Sequence, residues 1–282
     1  MGISRSKSHI GKQIGTWINP AFAGLGTTLF TELGAYFAGG YYQLSGIYKI
    51  TFSADSTSTL AATLSVSRHA LSGAANSGTA AYFAGGSYAG YPSSIEKLTF
   101  SGDSTSTLAA TLSTARSSLW GAANSGTAAY FAGGWTGVDN LSSPAGYASS
   151  IEKLTFSGDT RSTLAATLST ARSSLTGAAN SGTAAYFAGG YNSSYVLISG
   201  IDKITFSGDT RSTLAATLSS ARYNPTGAAS VQAAYFAGGY DEYNPISSID
   251  KITFSGDTRS TLAATLSSAN WGAGGAANAG TL

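Results

Sequence analysis

The chain has 282 residues, of which 15 are Lys or Arg and 13 are Asp or Glu, for a net charge of +2. Charged residues make up 10% of the chain, against roughly 25% in ordinary domains. That leaves no basic field able to hold nucleic acid across a broad surface. The absence of cysteine excludes disulfides, thiolate metal sites and cysteine nucleophiles. Glycine runs at nearly twice its usual share of roughly 7%, yet 43% hydrophobic and 11% aromatic residues exceed what a disordered chain carries.

In chain order, residues 1–33 come first and have no counterpart later. Arg5, Lys7 and Lys12 precede an apolar stretch ending in Ala21-Phe22-Ala23, a pattern with some likeness to a secretory signal. Trp17-Ile18-Asn19-Pro20 interrupts that stretch and argues against one. The uncharged run from Ile14 to Thr31 is too rich in Gly, Thr and Asn to span a membrane. The segment reads as an N-terminal extension, with Arg5, Lys7, Lys12 and Trp17 as candidate anchor residues.

After residue 33, Ala-Tyr-Phe-Ala-Gly-Gly recurs at 35–40, 81–86, 129–134, 185–190 and 234–239, so the second glycines lie 46, 48, 56 and 49 residues apart. Periods in this range mark propeller blades of four strands each. In the third repeat, Ile151 to Phe156 alternates apolar and polar, as a half-buried strand does. The turn Ser157-Gly158-Asp159-Thr160 follows, then strands at 162–168, 177–180 and 184–188. No helical periodicity with capping signals interrupts the series. The expectation is an all-β, five-bladed β-propeller over residues 34–282.

The strand running into a double glycine, the later aromatic Phe156 and the Arg172 ahead of the next inner strand resemble the Kelch family across nearly nine-tenths of the chain. The resemblance departs at Leu164, near where Kelch blades usually carry tryptophan. Residues 157–164 also look like a degraded Asp-box of sialidase-type propellers, with Arg161 and Leu164 replacing glycine and tryptophan. Both resemblances imply a propeller.

Residues 275–282 stop where another Ala-Tyr-Phe-Ala-Gly-Gly would begin, and residue 35 begins with it. A C-terminal inner strand is therefore expected to complete the first blade and remove its open edge. The Gly-Ala-Ala triplets at 73, 121, 177, 227 and 275 suit inner strands lining a narrow channel.

Differences among the repeats point to function. The Asn-Ser-Gly-Thr and Ser-Gly-Asp turns barely vary, while the loops after the double glycines and the connectors between blades do. Successive turns of a meander alternate faces, so both variable sets share one face. Ten of the 16 tyrosines and three of the four tryptophans lie there, giving rigid contact area with polar handles. The candidate binding residues are Tyr41, Tyr42, Tyr88, Tyr91, Trp120, Trp135, Asp139, Asn140, Tyr147, Tyr191, Tyr195, Tyr223, Tyr240, Tyr243 and Trp271.

Catalytic constellations are missing from the sequence. His9 and His69 are the only histidines, too few for a histidine metal cluster, and no cofactor is implied. Asp103, Asp159, Asp209 and Asp257 are expected to accept hydrogen bonds from their own turns. Glu152, Lys153 and their counterparts are expected to be charges of an outer strand. Arg68, Arg116, Arg172 and Arg222, with Asn270 at the fifth place, are expected to bridge blades as the family resemblance implies, or else to form an anion-binding ring.

Near-identical, uncharged Kelch-like repeats of this wording resemble those of phage and marine-virus structural genes. That resemblance implies a non-enzymatic virion component in multiple copies within a symmetric assembly. Residues 1–33 would anchor it to other virion proteins, and the aromatic face would meet a virion partner or host-surface glycan. The alternative is an extracellular, soluble, lectin-like propeller.

Overall fold

The computed structural model describes residues 34–40, 44–87, 90–137 and 146–272. Nineteen strands are formed there, all antiparallel to their neighbours and arranged as five successive sheets. Blade 1 holds β1 (Gly34–Ala38), β2 (Gly46–Thr51) and β3 (Ser56–Thr63). Blade 2 holds β4 (Ser72–Asn76), β5 (Ala80–Ala84), β6 (Ser94–Thr99) and β7 (Ser104–Thr111). Blade 3 holds β8 (Trp120–Asn124), β9 (Ala128–Ala132), β10 (Ser150–Thr155) and β11 (Thr160–Thr167). Blade 4 holds β12 (Thr176–Asn180), β13 (Ala184–Ala188), β14 (Ile201–Thr205) and β15 (Thr210–Thr213). Blade 5 holds β16 (Thr226–Ala229), β17 (Ala233–Ala237), β18 (Ile249–Thr253) and β19 (Thr258–Thr261).

The fold is a five-bladed β-propeller. Each sheet runs in simple meander order, for example β4-β5-β6-β7. The four strands read between 151 and 190 straddle a blade boundary, since β10 and β11 end one sheet and β12 and β13 open the next. The strand expected to complete blade 1, within residues 273–282, lies outside the described residues.

The Gly-Ala-Ala strands β4, β8, β12 and β16 are innermost and touch one another in turn. Their glycines are needed for that approach. A Cβ on Gly227 would sit 2.3 Å from the Gly177 carbonyl oxygen of the neighbouring blade. Gly227→Ala should therefore lower stability by about 1–3 kcal/mol, the usual cost of overpacking. A thermal midpoint equal to that of the wild type would mean that the inner strands can separate freely.

The core lies between blades. Strand β9 is buried along its whole length, because alternate side chains enter opposite interfaces. Phe131 packs with Ile95, Leu112 and Tyr82 of blade 2, and Tyr130 packs with Phe187 and Ile204 of blade 4. Equivalent layers join blades 1 to 2 and 4 to 5.

Candidate functional site

Among the described residues, two kinds of polar contact fasten the four successive pairs of blades from 1–2 to 4–5, and both involve residues that the sequence reading placed elsewhere. The first is a buried ion pair. Arg68 Nη2 meets Glu96 at 2.6 Å, Arg116 meets Glu152 at 3.1 Å, Arg172 meets Asp202 at 3.0 Å and Arg222 meets Asp250 at 2.6 Å. All eight residues are within 1% of complete burial. Burial pulls the guanidinium pKa values down while the carboxylates pull them up. Burial also works to raise the Asp250 pKa, but the Ser219 N–H, the Thr261 hydroxyl and Arg222 outweigh it and hold the value below its usual range.

Each arginine also bridges through its backbone. The Arg172 carbonyl accepts the Gly134 N–H of blade 3 at 2.9 Å, while its guanidinium donates to Phe187 O and Asp202 of blade 4. The expected bridging role is what the geometry has. An anion-binding ring is not, because the guanidiniums are enclosed and already paired. Glu152 is likewise not an outer-strand charge. It lies on β10, one strand in from the edge, and accepts from Arg116, Ser113 and Thr163.

The second contact is a latch on the opposite flank of each blade. Tyr82 Oη donates to Asp159 Oδ1 at 2.9 Å and Lys97 Nζ to Asp159 Oδ2 at 2.7 Å. Phe156 stacks on the Tyr82 ring with centroids 5.0 Å apart. The same set recurs at Tyr36/Lys49/Asp103/Phe100, Tyr130/Lys153/Asp209/Phe206 and Tyr186/Lys203/Asp257/Phe254. These aspartates were expected to cap their own turns. They hold left-handed φ values of 44–51°, as turn residues do, but their carboxylates cross to the preceding blade, where a phenol and an ammonium offer stronger charge-assisted donors. Burial, then the hydrogen bond to aspartate, raises the pKa of Tyr82, Tyr130 and Tyr186 well above the ordinary tyrosine value. For the ion pair the sequence holds a signal at long range, since an acid (Glu96, Glu152, Asp202, Asp250) recurs on the third strand of each blade entered by an arginine.

The variable loops and the connectors do share a face. Backbone bridges join them at His69 to Ser87, Ser117 to Trp135, Ser173 to Tyr191 and Tyr223 to Tyr240. Along this face the aromatic rings form a strip. Tyr91 meets Trp135 edge-on at 5.0 Å, and a Trp135–Tyr147 bridge links that pair to Tyr147. Tyr147 meets Tyr191 at 5.8 Å, Tyr191 meets Tyr223 at 5.6 Å, Tyr223 meets Tyr240 at 5.5 Å, and both of the latter meet Trp271. Burial, followed by the neighbouring Tyr240 and Tyr191 phenols, raises the Tyr223 pKa.

Tyr195 stacks over Tyr191 and is 74% exposed, Trp271 is 51% exposed, and Tyr243 projects beside the strip at 73%. In the described residues of these loops and connectors, the arginines are buried and the remaining charges are Asp241 and Glu242. Asp241 accepts the Tyr243 and Asn244 N–H groups, which lower its pKa.

Trp120 differs from the other candidates. It begins the inner strand β8, packs against the core shared by blades 3 and 4, and would touch a Cβ on Gly177 at 2.7 Å. It is a wedge between blades and not part of the strip. Tyr41, Tyr42, Tyr88, Asp139 and Asn140 lie outside the described residues, as do Arg5, Lys7, Lys12 and Trp17. Among the described residues, no group of three His, Cys, Asp or Glu can hold a metal ion, and no helix is long and apolar enough to cross a membrane.

No family model matches the chain, and no curated protein matches it. Solved structures do. One, described as "Structure of YjhT", superposes with a TM-score of 0.71 at 13% identity, covering 86% of each chain. At that identity the likeness establishes the propeller architecture and nothing of its chemistry.

Proposed function

We propose that this protein is a non-enzymatic recognition propeller, a virion component that binds an uncharged glycan of the host surface through its aromatic strip. The observation that carries this reading is the run of ring contacts from Tyr147 to Trp271 along one face. Flat rings tipped with hydroxyls stack on the apolar faces of sugars while their polar edges bond sugar hydroxyls. The scarcity of charge on the face favours a neutral ligand over a sialylated or phosphorylated one. Virion location rests on the likeness of the repeats to viral structural genes. In that setting residues 1–33 would anchor the chain to other virion proteins, in several copies.

The test is binding of the purified chain to an array of neutral glycans, followed by titration of the best ligand. Trp271→Ala and Tyr195→Ala should each weaken binding about tenfold, since an aromatic contact contributes roughly 0.5–1.5 kcal/mol beyond its area. Both residues are exposed, so the thermal midpoint should hold. Silence across the array would sink the glycan reading and leave a protein partner. Detection of the chain in purified particles by mass spectrometry separates a virion component from the alternative, an extracellular lectin.

A further inference from the structure

One connector position distinguishes blades that the repeated scaffold otherwise makes alike. The residue after the connector arginine, or after Asn270 in its place, is His69, Ser117, Ser173, Tyr223 and Trp271 in turn. The first four bridge through their backbones to the residue after the next double glycine, which is Ser87, Trp135, Tyr191 and Tyr240 respectively. Of these four pairs, Tyr223 and Tyr240 alone are both aromatic. Tyr223 is therefore a hub, whose ring meets Tyr191 of blade 4, Tyr240 of blade 5 and Trp271.

Three rings stand out from this hub. Among the described residues of the loops and connectors, the tyrosines and tryptophans more than half exposed are Tyr195, Tyr243 and Trp271. Each is held from behind. Tyr195 lies over the Tyr191 ring, and Asn192 Oδ1 accepts the Ser194 and Val196 N–H groups on either side of it, both at 3.0 Å. The Tyr243 carbonyl accepts the Tyr240 hydroxyl at 3.1 Å, and its N–H donates to Asp241 Oδ1 at 2.9 Å. Trp271 rests edge-on against Tyr223 and Tyr240. Rings fixed before a ligand arrives lose little entropy when it binds.

The spread of these rings sets the size of the ligand. Tyr195 and Tyr243 lie on corresponding loops of blades 4 and 5, and sheets packed face to face stand about 10 Å apart. A single pyranose does not reach across that spacing, so a ligand covering both tyrosines has several sugars. The charges on the described loops, Asp241 and Glu242, are acidic, and they disfavour carboxylated or sulfated chains by like-charge repulsion.

We propose that the propeller carries one glycan site, centred on Tyr223 at the seam of blades 4 and 5, which takes a stretch of a neutral chain at least about three sugars long, the length that the blade spacing asks for. Tyr195, Tyr243 and Trp271 stack on separate sugars. Tyr223 is the positioning residue that holds the supports of these rings together. The site rests on the glycan reading of the aromatic face and adds to it a stoichiometry, a chain length and a hub.

The test is calorimetric titration of the full chain with neutral glucan, mannan and galactan oligomers, from the monosaccharide upward. The expected result is one site per chain, with affinity rising about tenfold per ring engaged, the scale of an aromatic contact, and then levelling as the chain outgrows the site. Tyr223→Ser puts at this position the residue type of Ser117 and Ser173, which make the same backbone bridge, so the fold should stay intact. Its affinity for the longer oligomers should drop by about tenfold or more, again on the scale of an aromatic contact, while that for the monosaccharide holds. Equal affinity for monosaccharide and long oligomers, one ligand per blade, or wild-type binding by Tyr223→Ser would overturn this site and leave the glycan reading standing. Silence from all three series would overturn both.

Discussion

Arg172→Ala should cost the fold about 3–5 kcal/mol, the usual penalty for stripping one partner from a buried ion pair. Asp202 is fully buried, and without the Arg172 guanidinium it keeps the Ser169 and Thr213 donors and the partly exposed Arg211 at 3.6 Å. For a propeller of this size the thermal midpoint should fall by roughly 6–20 °C, taking about 2–4 °C per kcal/mol. The wild-type pair is not thereby a large net stabiliser. Arg172→Met combined with Asp202→Leu should recover most of the loss, since apolar replacement of both partners is often neutral. A single variant within about 1 kcal/mol of wild type, in the range of a surface ion pair, would refute this account.

Alkaline unfolding is the second large effect. The Tyr82, Tyr130 and Tyr186 pKa values are raised by burial and by hydrogen bonding to aspartate, and Tyr36 is raised for the same reasons. A folded-state pKa above the unfolded one means that the latch contribution is complete below the unfolded value, about 10 for tyrosine. It is lost as pH rises toward the folded values. Urea midpoints should therefore be flat through mildly alkaline pH and fall steeply above about pH 10. Four tyrosines at four junctions fail together, so part of the tyrosinate absorbance should appear with the unfolding transition and not before it. A midpoint that holds to about pH 11, a full unit above the unfolded tyrosine value, would show that the hydroxyl bonds contribute little.

The strands, their turns and the inner-strand glycines were readable because each depends on neighbours within a few residues. Alternation from Ile151 to Phe156 and the Gly-Ala-Ala triplets are local patterns, and β10 and β12 lie where those patterns put them. The aromatic face was readable for a related reason, since meander connectivity alone assigns loops to sides. What fastens the blades was not readable in this way. Tyr82 and Asp159 are 77 residues apart, and a turn aspartate has a ready partner in its own backbone. Local reasoning stops there. Glu152 was misplaced because an alternating Glu-Lys pair looks solvent-facing until the neighbouring blade brings Arg116 to it. Trp120 looked like a loop aromatic because the inner strand β8 begins one residue earlier than its Gly-Ala-Ala core.

The latch has a direction: each of blades 1 to 4 offers tyrosine and lysine to the blade that follows, which returns aspartate and phenylalanine. Head-to-tail contacts of this kind make the units interchangeable. Unequal recombination between near-identical repeats could copy, delete or reorder whole blades and still leave matching flanks at every join. Loop sequences would travel with each blade, so a population could shuffle its recognition surface as cassettes while the scaffold stayed the same.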